Sequence, residues 1–111
     1  MKTDLKKGNS TMLEFVDDAS NAIVVPAHRF LGVDTDDGND IEIFFQVSEG
    51  ILDADKVVLT ITDADGLGFK RVCQALANAM RPNMAGKYVV VANSLTGKFI
   101  HPDITACTAV S

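Results

Sequence analysis

The amino-acid sequence predicts an α+β domain: a single, mostly antiparallel β-sheet of about five to seven strands with one α-helix packed on one face. Three observations lead there. From Phe69 the apolar residues fall at Phe69, Val72, Cys73, Leu76 and Met80, which lines one face of a helix. Elsewhere the chain is a series of short β-branched runs bounded by Asp, Asn, Gly and Pro. Finally, the helix stands between two of these runs, KVVLTIT and KYVVVAN, an order that implies a right-handed β-α-β crossover with both strands parallel in one sheet.

The elements follow in order. MLEFV, Met12 to Val16, is the first strand, and Asp17, Asp18, Ser20 and Asn21 supply the turn after it. The run AIVVPAHRFLGV is interrupted or lies at a sheet edge, because Pro26 has no amide hydrogen to give a ladder. In IEIFFQV, Ile41, Ile43, Phe45 and Val47 share one face and Glu42, Phe44 and Gln46 the other, so Phe44 is the one aromatic out of pattern. VVLTIT alternates Val57, Leu59 and Ile61 against Val58, Thr60 and Thr62. The helix then opens with GLGF, its first turn capped by Asp63 or Asp65, and ends at Arg81 before Pro82. KYVVVAN is nearly continuous in apolar character and suits a central strand covered on both faces. In the turn NSLTGK, Gly97 is free to take a positive φ, and FIHP with ITACTAV completes the chain as strands broken at Pro102.

A length of 111 residues with 47% hydrophobic content suits one domain with a real core. We divide the chain into a basic arm, residues 1–11, and a single α+β domain, residues 12–111. The net charge is −5, which argues against nucleic acid as the main partner. Lys2, Lys6 and Lys7 nevertheless crowd into the arm against Asp4 alone, so a basic arm precedes an acidic body. No run has the length of a membrane span, and MKTDLKKGNS lacks the apolar segment of a secretory signal, so no membrane partner is expected. Cys73 and Cys107 lack metal-type spacing and read as reduced, buried thiols.

Chemistry-bearing residues are sparse. Asp34, Asp36, Asp37 and Asp40 form an acidic loop that offers oxygen ligands to calcium, although Gly38 stands one position early for an EF-hand and no glutamate closes the loop. Aspartates are also good turn formers, and the structural reading of this loop is the leading one. A calcium- or ligand-binding module built on the acidic loops is therefore the alternative function. GLGF resembles the carboxylate-binding loop of PDZ domains, but here it opens a helix rather than a strand. His28 and His101 offer a metal pair, or a general base beside Cys73 or Cys107. The sequence holds no zinc-type spacing, no nucleophile elbow and no dinucleotide fingerprint, so neither catalytic residues nor a cofactor are expected.

AIVVPAHRFLGV, KVVLTIT, the alanine-rich RVCQALANAM, KYVVVAN and the closing HPDITACTAV, together with a short tail, resemble small proteins of marine bacteriophages that serve as virion components such as capsid decoration proteins. The resemblance covers most of the chain from Met12 onward. It implies a non-enzymatic structural or accessory role, in a virion or a host cytoplasm, with partners among viral structural proteins or further copies of the same chain. The residues expected at such an interface are Lys2, Lys6 and Lys7 of the arm, Pro26 at the sheet edge and the out-of-pattern Phe44.

Overall fold

The computed structural model describes residues 11–35, 39–46, 54–62, 66–81 and 87–110. Eight strands and one helix are assigned there: β1 (Thr11–Asp18), β2 (Asn21–Pro26), β3 (Phe30–Thr35), β4 (Asp40–Gln46), β5 (Ala54–Ile61), α1 (Gly68–Ala79), β6 (Lys87–Asn93), β7 (Lys98–Phe99) and β8 (Ile104–Val110). They form two four-stranded sheets, ordered β2-β1-β6-β7 and β3-β4-β5-β8. The expected single sheet with a helix packed on it is therefore wrong. β5 and β6, which the crossover was to place side by side, lie in different sheets, and α1 carries the chain from one sheet to the other. The parallel pair is β1 with β6 instead.

Local sequence explains where the chain changes sheet. β1 and β2 form a hairpin whose turn is fixed by Asp18, where Oδ1 accepts from the Ser20 amide at 2.9 Å. Pro26 ends β2, and a 3-10 turn over Ala27–Arg29 separates it from β3, so AIVVPAHRFLGV becomes two edge strands of two different sheets. From β3 to β5 the chain runs as an antiparallel meander.

The two sheets enclose one core. Leu13, Phe15 and Val25 from the first sheet and Ile41, Ile43, Phe45, Val57, Leu59 and Ile61 from the second are buried together. Phe15 and Phe45 meet across the gap with ring centroids 5.6 Å apart and planes tilted by 56°. α1 inserts Val72 and Leu76 into this shared core, while Phe69 and Met80 pack at its margin. The helical stripe thus lies where expected but rests on a core that both sheets build. Outside the core, Arg71 Nε donates to Asp103 Oδ2 at 2.7 Å, tying the helix to the turn before β8. Thr11 Oγ1 donates to the Arg81 carbonyl, tying its far end to the start of β1.

Two strands depart from simple alternation. In β6 a bulge opposite Glu14 and Phe15 turns both Val91 and Ala92 inward, so the apolar run of KYVVVAN does not mean cover on both faces: Tyr88 is 57% exposed. In β8 the register with β5 shifts twice, and the buried residues Ile104 and Cys107 recur every third position. The residues skipped by the shifts, Thr105 and Thr108, turn their hydroxyls onto the β5 carbonyls of Thr60 and Val58 at 3.2 and 3.4 Å. Each bulge thereby keeps a neighbouring carbonyl hydrogen-bonded. The bulged strand lies against β1, β2 and β6, and Ser94, just after β6, fastens it there. Ser94 Oγ accepts from the Cys107 amide at 2.8 Å and donates to the Cys107 carbonyl at 3.1 Å. Gly97 takes φ 75° in the β6–β7 turn, the positive value expected from sequence.

Candidate interaction surface

The two faces of the first sheet differ from those of an ordinary solvated antiparallel sheet, which alternate apolar and polar residues. Residues of β1, β2 and β6 that point away from the core align in two rows, Pro26–Met12–Tyr88 and Val24–Glu14–Val90. Five of these six side chains are apolar or aromatic; Val24 is 45% exposed. The one charge among them is engaged within the face. Tyr88 Oη and Asn93 Nδ2 both donate to the Glu14 carboxylate, the latter at 2.9 Å. The bond to Glu14 holds the Tyr88 phenol above its ordinary pKa, since ionising it would place two negative charges side by side. Asn93 Oδ1 in turn accepts from the amides of Leu95 and Thr96, so the carboxylate is anchored to the β6–β7 turn.

Along one side of this face runs the free edge of β2. Among the described residues no strand pairs with it. Its sequence, NAIVVP, contains no charged residue and no glycine, and the β1–β2 register is regular from Met12↔Pro26 to Val16↔Ala22. Other edges are obstructed. β7 is two residues long, Ser94 occupies both backbone groups of Cys107 on β8, and β3 has an irregular register and carries Asp34.

Of the residues expected at an interface, the two that are described, Pro26 and Phe44, lie on different sheets. Pro26 sits half-buried at the end of the edge strand β2. Phe44 is half-buried on the outward face of the other sheet, opposite Gly32 and Lys56. Lys2, Lys6 and Lys7 lie outside the described residues, as do Asp63 and Asp65, the expected helix caps. Of the acidic loop, Asp36 and Asp37 also lie outside them. Asp34 is exposed and its Oδ1 accepts from the Thr35 amide, while the Asp40 carbonyl accepts from Thr35 Oγ1 at 2.8 Å. Among the described residues no three His, Cys, Asp or Glu are placed to hold a metal ion. His28 is exposed on the 3-10 turn, whereas His101 Nδ1 accepts from the Asp103 amide at 3.0 Å. Burial pushes the Cys107 thiol up to about 11, with the charge of Asp17 adding to it; Cys73, expected to be buried, is only half-buried, and what burial it has raises it as well, so both are protonated at neutral pH.

Val24, Tyr88 and Glu14 were not singled out by sequence. The signal was present in AIVVP, whose unbroken apolar run on a short edge strand leaves Ala22, Val24 and Pro26 facing outward with nothing polar among them. Among the described residues, architecture and surface define a small two-sheet domain with an apolar outer face and an unpaired β2 edge. Comparison with protein-family models, curated proteins and solved structures finds no match to the chain. No helix among the described residues is long and apolar enough to cross a membrane.

Proposed function

We propose that the chain is a non-enzymatic structural or accessory protein, a virion-associated or capsid decoration-like protein of a phage, that works by self-association or by docking on a larger assembly. The observation that carries this reading is the outer face of the β2-β1-β6 strands, where Met12, Val24, Pro26, Tyr88 and Val90 surround a carboxylate already committed to Tyr88 and Asn93. A surface of this kind loses little on desolvation, because its single charge keeps its hydrogen bonds when water leaves. The phage assignment is carried by the sequence resemblance alone.

Two measurements test the proposal together. Light scattering over a range of concentrations is expected to give a mass above the 11.9 kDa of one chain, or the chain is expected to co-sediment with capsids of the phage that encodes it. A chain that remains at 11.9 kDa and stays in the supernatant would refute it.

A further inference from the structure

We infer that two copies of this chain join through their β2 edges, antiparallel and about a two-fold axis, so that the β2-β1-β6-β7 sheets of both copies become one continuous sheet. The pairing deepens the assembly reading and rests on it. An exposed edge strand presents a row of backbone donors and acceptors that bind any extended chain, and proteins that remain monomeric obstruct such edges with charge, bulges or brevity. Apart from Pro26 at its end, which lacks an amide hydrogen, β2 has none of these. It carries no Lys, Arg, Asp or Glu, keeps a regular register over Ala22 to Pro26, and follows an edge long enough for a short ladder. The occupant that fits is a second β2, because an uncharged strand placed antiparallel to itself sets no like charges against each other and satisfies both edges in one closed contact.

Geometry fixes the register. Side chains alternate between faces, so pairing must set inward residues against inward ones, which requires the two-fold axis to pass beside a residue and not between two. An axis at Val24 would set Pro26, which has no amide hydrogen, opposite Ala22 within the ladder. With the axis at Ile23, Ile23 faces its own copy, Asn21 faces Val25 and Ala22 faces Val24, while Pro26 falls beyond the paired stretch and closes it. The outer apolar rows of the two copies then run on into each other through the Ala22–Val24 pairs.

The test uses the full chain. Light scattering is expected to give twice 11.9 kDa for the wild type and 11.9 kDa for Val24→Lys, which places a charge at the centre of the contact. Leu31→Lys, on the β3 edge and 58% exposed, is expected to stay dimeric. Since a lysine in a strand can also weaken the fold, a trap supports the same point. Under mild oxidation the double variant Ala22→Cys, Val24→Cys should cross-link to a dimer on a non-reducing gel, while the wild type and each single variant should not. A dimer indifferent to Val24→Lys, or a double variant that fails to cross-link, would overturn the β2 pairing and leave self-association standing. Cross-linking by Val24→Cys alone would overturn the Ile23 axis. A wild type that is monomeric at every concentration would overturn the pairing and, if it also fails to sediment with capsids, the assembly reading with it.

Discussion

Replacing Ser94 by alanine removes the one side chain that holds both backbone groups of Cys107. The hydroxyl accepts from the Cys107 amide at 2.8 Å and donates to its carbonyl at 3.1 Å, joining the end of β6 in one sheet to the middle of β8 in the other. Each such hydrogen bond contributes about 0.5–1.5 kcal/mol net, so losing both costs about 1–3 kcal/mol. The site is only partly buried, and water can reach some of the freed groups, which places the expectation near 2 kcal/mol. On a domain of this size that lowers Tm by roughly 8–9 °C. Calorimetry measures the loss, and amide exchange at Cys107 locates it: that amide should exchange faster while Leu59, its partner in the β5–β8 ladder, keeps its protection longer. A variant melting within about 2 °C of wild type would show that the serine does not fasten β8.

Other expectations follow from the same structure. Phe15→Ala, at a fully buried ring tilted against Phe45, should cost about 3–5 kcal/mol in urea unfolding, and a loss below about 1 kcal/mol would mean that the sheets do not meet there. Asp103→Ala breaks the bond to Arg71 at a partly exposed site and should cost only about 0.5–1 kcal/mol by thermal melt; no measurable loss would remove this contact from the stability of the helix. Because Cys107 is raised to about 11 from an ordinary 9.0, the unfolded chain ionises first. The thiol's contribution to stability is therefore complete below pH 9.0 and disappears as the pH climbs toward 11, so Cys107→Ser should flatten the alkaline decline seen by calorimetry. Tyr88 is the chain's only tyrosine, and its ultraviolet titration should run above the ordinary 10.0 and return toward it in Glu14→Gln; an unchanged midpoint would contradict the phenol–carboxylate bond. Millimolar calcium followed by chelator should leave Tm unmoved, and a rise on adding calcium would support the acidic loop as a site.

Periodicity revealed most of the elements and little of their partnership. The alternation in β4 and β5 and the stripe of α1 were readable because each side chain reports only whether its own face is wet or dry. Nothing in a strand's alternation states which strand lies beside it. An apolar helical stripe is satisfied equally by one sheet or by a core two sheets share, so the helix could not distinguish them. Bulges obscured two further strands. In KYVVVAN the inward turn of both Val91 and Ala92 mimicked a strand buried on both faces, and in ITACTAV two register shifts replaced a period of two with one of three. The outer face suffered the opposite fate: its apolar residues belong to three strands, and only the pairing of β1 with β2 and β6 assembles them.

The parallel pairing of β1 with β6 also governs when the protein can become whole. Glu14 and the Asn93 amide that bonds to it are separated by 79 positions, and the Thr11 hydroxyl meets a carbonyl 70 positions further on. The β1–β2 hairpin and the β3-β4-β5 meander need only near neighbours, so they are available while the chain is still emerging from the ribosome. β1, by contrast, waits with one flank unpaired until β6 has been made and α1 has carried it across. During synthesis the nascent chain therefore presents adhesive strand borders that its own later residues retire, that of β1 when β6 is made and that of β5 when β8 is made, while among the described residues nothing pairs with that of β2.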